Sequence, residues 1–179
     1  MPHAFPGTRL FIRSNLKRQT PAPVGREQQN DKHVVEREID YWERAGFVIT
    51  TDKQRLDIAF IYDFLSQQSY WARNRSRELV ERSIDNSLNF GVFKGDEQVG
   101  FARVVTDFAT FAWLADVFVV EEYRGRGLGI WLIEVITLHP RLQNFRRWLL
   151  ATRDAHELYR RFGFNEVAEP ERWMERRNE

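Results

Sequence analysis

Three glycines spaced by single residues, in Arg124-Gly125-Arg126-Gly127-Leu128-Gly129, stand between an apolar strand-like run and an apolar helix-like run. In that setting the backbone amides at the helix start point outward together and can hold an anion. Glycine suits such a loop because side chains would block the close approach of a diphosphate, while Arg124 and Arg126 add charge-assisted contacts at its edge. A dinucleotide fingerprint is excluded, since the third glycine comes one position early and Leu149-Leu150 stands where an acid is needed, about 20 residues on. A Walker loop is excluded because Gly-Lys-Ser/Thr is absent. Taken alone, the loop also fits an exposed surface turn. The second chemical residue is Asp116, an acid inside the apolar run 114–119, where it costs energy unless it is paired or used. It reads equally as a general base or as the structural partner of Arg103 or Arg124.

Regular elements must position these groups. A short strand is expected over 47–51, then a helix with Ile58, Ile61 and Leu65 at helical spacing, and a second helix around 78–87. Two apolar strands, 90–93 and 99–105, are joined by Lys94-Gly95-Asp96-Glu97 and should pair antiparallel. A third strand over 113–120 leads into the glycine loop. The helix after the loop is apolar around most of its surface, from Ile130 to Leu138, so it is buried, and Pro140 stops it. A short buried strand follows at 148–151, then a helix for which Asp154 and Glu157 form a capping box. Strand signals recur at 166–168 and 173–175.

The first 46 residues read differently. Arg9, Arg13, Lys17, Arg18 and Arg26 precede the first acid, Glu27, and Thr20-Pro21-Ala22-Pro23 is stiff and turn-prone, so a flexible basic arm is expected. Its one helical stripe, Val35, Ile39 and Trp42, would end at Gly46. The folded domain is expected over 47–179. With 27 basic and 26 acidic side chains the net charge is +1, which argues against a nucleic-acid binder working through overall charge. No cysteine is present, so disulfides, thiolate metal sites and a cysteine nucleophile are excluded, and a reducing cytoplasm suits the chain. The four histidines have no metal-ligand spacing, so no metal is expected. No apolar run approaches the roughly 20 residues that cross a bilayer, so no membrane partner is expected.

The strand 114–119 followed by the Arg-x-x-Gly-x-Gly-like loop 124–129 resembles the signature of the GNAT superfamily of N-acetyltransferases. A second motif agrees with it: Ala155, Leu158-Tyr159 and the turn Phe162-Gly163-Phe164 match that family's later helix. The resemblance covers residues 47–177. It implies an α/β (α+β) fold with a mixed, mostly antiparallel sheet, a central splay after Val117 and flanking helices. It also implies acetyl-CoA as cosubstrate, with the pantetheine arm added like a strand along Phe118 and Val119 and the diphosphate on Arg124, Gly125, Arg126, Gly127, Leu128 and Gly129. Two positions depart from the pattern. Glu121 stands where a proline is usual, and Thr152 replaces an asparagine, leaving one hydroxyl to bond the cofactor.

Attack on a thioester needs a neutral amine, a stabilised oxyanion and a proton for the departing thiolate. The resemblance gives the last task to Tyr159, whose phenol, with an ordinary pKa near 10, stays protonated at neutrality. Asp116 resembles the acidic strand segment that faces the amine in diamine acetyltransferases, although Ala115 precedes it. The acceptor, a small-molecule or peptide amine, should enter near Tyr70 and Trp71, which read either as its flanking aromatics or as core. His156, near Tyr159 on one helix face, is expected in solvent. A homodimer remains open. Two further readings stand beside the enzyme: a catalytically silent CoA-binding module of the same fold, and a protein that uses the loop for other nucleotides.

Overall fold

A computed structural model describes residues 39–176 of the chain. Six strands form one sheet in the order β1-β2-β3-β4-β5-β6. They are β1 (Tyr41–Arg44), β2 (Phe47–Thr50), β3 (Leu88–Lys94), β4 (Glu97–Thr106), β5 (Phe111–Val119) and β6 (Arg147–Leu149). All neighbours run antiparallel except β5 and β6, which run parallel. Four helices flank the sheet: α1 (Ile58–Asp63), α2 (Arg77–Asp85), α3 (Leu128–Thr137) and α4 (His156–Arg160). This is the mixed, mostly antiparallel α/β architecture expected from the sequence. Among the described residues, no helix is long and apolar enough to cross a membrane.

Each face of the sheet carries its own core. Phe90, Val104, Ala112 and Leu114 pack with Trp131, Leu132 and Ile136 of α3 on one side. On the other, Phe93, Phe101 and Phe118 pack with Ile61 of α1, Leu65 just beyond it, and Val80 and Ile84 of α2. Burying each such side chain stabilises the fold by roughly 1.5–3 kcal/mol. The second core also explains an irregularity. α1 does not stop at Asp63 but widens into a π turn over Phe64–Gln68, closed by Ser69 N–H donating to Phe64 O at 3.0 Å. The turn lays the Phe64 ring on Phe118, with centroids 3.8 Å apart and planes 7° from parallel, and releases the chain toward Tyr70 and Trp71.

β5 is the element that shapes the site. Phe118 pairs with Phe101 and Ala115 with Arg103, so Asp116 and Val117 together oppose only Ala102. This β-bulge puts Asp116 at φ 51°, the left-handed region that Asp tolerates better than most residues. On its other edge β5 pairs with β6 only from Phe111 to Trp113. From Leu114 to Val119 that edge has no strand partner, which is the splay of the sheet; it opens after Trp113 and not, as expected, after Val117, because β6 is only three residues long.

Three local expectations are corrected. Trp42 lies on strand β1 rather than on a helix, because Ala45 (φ 51°) and Gly46 (φ 73°) make a two-residue hairpin turn that pairs Arg44 with Phe47. The sheet therefore begins upstream of residue 47; Val35 and the basic arm lie outside the described residues. Asp154 caps no helix: Thr152 Oγ1 accepts from Ala155 N–H at 3.1 Å, and α4 starts after Ala155 without a side-chain cap. No strand forms at 166–168 or 173–175. Pro170 opens a tight turn, Pro170–Arg172, and the Trp173 ring sits 4.7 Å from the Arg147 guanidinium instead of joining a ladder.

Candidate active site

β5 reaches the glycine loop through a single helical turn, Glu121–Tyr123. Gly125 (φ 75°) and Gly127 (φ 78°) then hold left-handed backbone, and a Cβ on Gly125, Gly127 or Gly129 would meet no atom within 4 Å. The loop surface is open. Trp131 is the first residue of α3 whose amide finds a helical acceptor, Gly127 O at 3.0 Å, so the N–H groups of Leu128, Gly129 and Ile130 leave the helix start without one. Together with the helix dipole they have the form of an anion cradle. Of the two arginines, Arg126 lies 5.3 Å from the Tyr123 ring. Arg124 turns back, its Nε donating to Val119 O at 3.0 Å.

The open edge of β5 meets this loop. Along an antiparallel strand successive amides point to alternate sides. Val120 N–H donates to Val99 O at 3.0 Å, so Val120 and Phe118 turn their main chains toward β4, and Val119 between them faces the open edge. A cleft of about 770 Å³ runs beside it, lined by Phe64, Trp71, Leu128, Leu158 and Tyr159 among others.

A second chamber of about 280 Å³ adjoins it and shares Tyr70, Trp71, Val117, Asp154 and Tyr159 with the first. Tyr159 therefore stands at the junction. Its hydroxyl bonds no group among the described residues, and its pKa is pushed up to about 12, chiefly by burial and further by Tyr70 and Asp154 nearby. The phenol keeps its proton across the physiological range. The chamber floor is Asp116, whose side chain is only 2% exposed. Its Oδ2 accepts from Arg103 Nε at 2.5 Å and Arg75 Nη1 at 2.9 Å, and its Oδ1 from Trp71 Nε1 at 3.3 Å. At the mouth, the Tyr70 hydroxyl accepts from Arg153 N–H at 3.0 Å and donates to Asp154 Oδ1 at 3.3 Å.

The chain that carries these two clefts is similar in sequence and fold to known proteins. Residues 85–166 match the family described as the acetyltransferase (GNAT) domain. A Xanthomonas campestris pv. campestris protein assigned to the GNAT family has a crystal structure that superposes with a TM-score of 0.72 at 48% identity, covering 74% of this chain and 93% of that one. The chain belongs to the GNAT acetyltransferase family. A protein of Gibberella zeae, itself assigned as an acetyltransferase, is 28% identical over 140 residues, which is 66% of this chain and 78% of that protein. An assigned acetyltransferase of Clostridium acetobutylicum, determined with acetyl-CoA, shares the fold at a TM-score of 0.55 and 13% identity, over 73% of this chain and 94% of that one.

This GNAT acetyltransferase brings most of the residues singled out in its sequence to one place. Val119, residues 124–129, Tyr159, Tyr70 and Trp71 all border the larger cleft or its loop, and Thr152 borders the smaller chamber. Tyr70 and Trp71 are surface aromatics of the clefts rather than core residues. Phe118 also borders the cleft, but its ring is locked against Phe64 and its main chain faces β4. Asp116 pairs with Arg103, as one of the two sequence readings has it, and not with Arg124. His156 is exposed, as expected, and lines neither chamber; it borders a separate pocket that also touches Thr152 and Tyr159. Arg75, Trp113 and Asp154 line the smaller chamber without having been singled out for it. Only Asp154 carried a local signal, and that signal pointed to a helix cap.

Proposed function

We propose that this chain transfers the acetyl group of acetyl-CoA to the nitrogen of an amine by direct attack on the thioester. One observation carries the reading: a phenol that keeps its proton to about pH 12, free of internal partners, stands where two clefts meet. The larger cleft ends on a loop with the form of an anion cradle, and that loop fits a pyrophosphate because no side chain or neighbouring atom fills the space over its glycines. Bound there, acetyl-CoA supplies a thioester carbonyl and a thiolate leaving group.

The N–H groups of Leu128, Gly129 and Ile130 would hold the pyrophosphate, with Arg126 at its edge. Val119 would hold the pantetheine arm through its N–H, its carbonyl being already engaged by Arg124. As the amine nitrogen bonds to the carbonyl carbon and the C–S bond breaks, Tyr159 Oη gives its proton to sulfur. The ammonium proton passes to water at the mouth of the clefts, and Tyr159 recovers a proton from the same water. Asp116 has both oxygens engaged by donors, so its role is to position Trp71 and Arg75 rather than to abstract a proton.

That engaged acid also supports the second reading, a CoA-binding module without turnover. Calorimetry with acetyl-CoA and thiol release across an amine panel separate the two. The transferase reading expects Tyr159→Phe to bind acetyl-CoA as the parent does and to lose about 10²–10⁴ in rate. Unchanged turnover in that variant removes Tyr159 from the chemistry.

A further inference from the structure

Charge in the smaller chamber is divided between two poles. At the floor two guanidiniums face one carboxylate: Arg103 and Arg75 both bond Asp116 Oδ2, leaving one positive charge uncompensated. Arg75 is the accessible member, its side chain 24% exposed against 13% for Arg103. Among the described residues, Asp116 is the only acceptor its guanidinium has. At the mouth, beside Tyr159, the Asp154 carboxylate is 62% exposed. The nearest cation, Arg153, comes no closer than 4.0 Å and lies with its guanidinium 3.8 Å from the Tyr70 ring. The same chamber is lined by Trp71 and Trp113, 41% and 40% exposed.

We infer that the acceptor is an amino acid with an aromatic or large apolar side chain, its amine at the Asp154–Tyr159 end, its carboxylate on Arg75 and its side chain against Trp113 and Trp71. The inference rests on the transferase reading for the direction of the amine, since the nitrogen must lie beside Tyr159 to reach a thioester. The remainder follows from the chamber. A guanidinium presents paired N–H donors that match a carboxylate, and here water is partly excluded, which strengthens the contact. An amine without a carboxylate leaves the surplus charge of Arg75 facing nothing. The chamber, about 280 Å³, has room for a molecule of amino-acid size and none for a folded partner.

The test compares phenylalanine and β-homophenylalanine with their carboxamides and with phenethylamine, in thiol-release assays with acetyl-CoA. At least one of the two acids should exceed its own amide and phenethylamine by about tenfold or more in kcat/KM, the difference lying in KM. In Arg75→Gln the KM for the acid should rise to that of the amide with kcat retained. Asp116 keeps Arg103 in that variant, so the buried pair survives, and Arg75→Lys should restore part of the preference. Amides or phenethylamine matching the acids in the parent protein, or an unchanged ratio in Arg75→Gln, overturns the inference. If acetyl-CoA binds but no amine is acetylated, the transferase reading fails. Calorimetry of the same compounds on the CoA-saturated protein then still decides: an acid binding about tenfold tighter than its amide sustains the carboxylate site, and equal or absent binding ends it.

Discussion

Replacing Asp116 by asparagine separates two roles that look alike on paper. The substitution preserves shape, keeps Oδ1 as an acceptor for Trp71, and suits the left-handed φ of 51°, which asparagine tolerates as readily as aspartate. What it removes is one negative charge and the acceptor shared by two guanidiniums, in a side chain 2% exposed, and an amide NH2 then faces those two donors. Deleting one partner of a buried ion pair costs about 3–5 kcal/mol, because the other charge stays desolvated. Arg75 can swing toward solvent and Arg103 retains Ser87 Oγ at 3.3 Å, so about 2–3 kcal/mol is the expected loss here. Urea unfolding should show it as a lower midpoint at unchanged slope. Acetyl transfer at saturating substrate should fall only modestly at a temperature where the variant stays folded. A general base would give the opposite result, with stability kept and the rate down by about 10²–10⁴. That outcome would refute the assignment of Asp116 as a positioning residue.

Other expectations follow from single contacts. Because burial lifts the Tyr159 pKa from the ordinary 10 to about 12, the pH–rate profile should show no fall near pH 10 due to this group, and an alkaline limb near pH 10 that disappears in Tyr159→Phe would refute the raised pKa. The sign for stability follows from the same shift: the neutral phenol's contribution is fully present below pH 10 and is lost as pH rises toward 12, which alkaline unfolding curves of the parent and Tyr159→Phe would compare. Gly127→Ala puts a Cβ at φ 78° into the open space of the loop; about 1–2 kcal/mol of strain and at least about tenfold weaker acetyl-CoA binding are expected, read by thermal melts and calorimetry. Gly100→Ala would bring a Cβ within 2.8 Å of Phe118 O, a backbone atom, and should destabilise by about 1–3 kcal/mol in urea unfolding.

The parts of the fold that were legible in the sequence are those fixed by local pattern. The apolar runs of β3, β4 and β5, the almost wholly apolar α3 and the glycines between β5 and α3 each carry a signal within ten residues or so of chain. Strand β1 was masked because Ala45 adopts a left-handed φ that its residue type does not advertise, and without that turn Gly46 reads as a helix end. The capping pattern of Asp154 and Glu157 is real as a pattern. It loses to Thr152 locally and to Tyr70, 84 positions away, over distance. Arg75 left no trace for the same reason: its bond to Asp116 spans 41 positions, and nothing in spacing or composition encodes a contact made only by the finished sheet.

Asp116 also shows why fold and site cannot be separated in this chain. Its carboxylate ties together the bulge in β5, Arg103 on β4, and Trp71 and Arg75 on the segment released by the wide turn after α1. A left-handed aspartate in a strand is strained by about 1–3 kcal/mol, and a buried carboxylate with three donors supplies the compensation. The bulge it sustains lies where β5 has already parted from β6, so the same contact that closes the floor of one chamber helps keep the strand edge open beside the other. A substitution that works against the bulge, such as Asp116→Val, which removes the carboxylate and fits a φ of 51° poorly, should therefore alter both the smaller chamber and the edge at Val119. Ligand affinities measured on either side would move together, whereas independent clefts would respond one at a time.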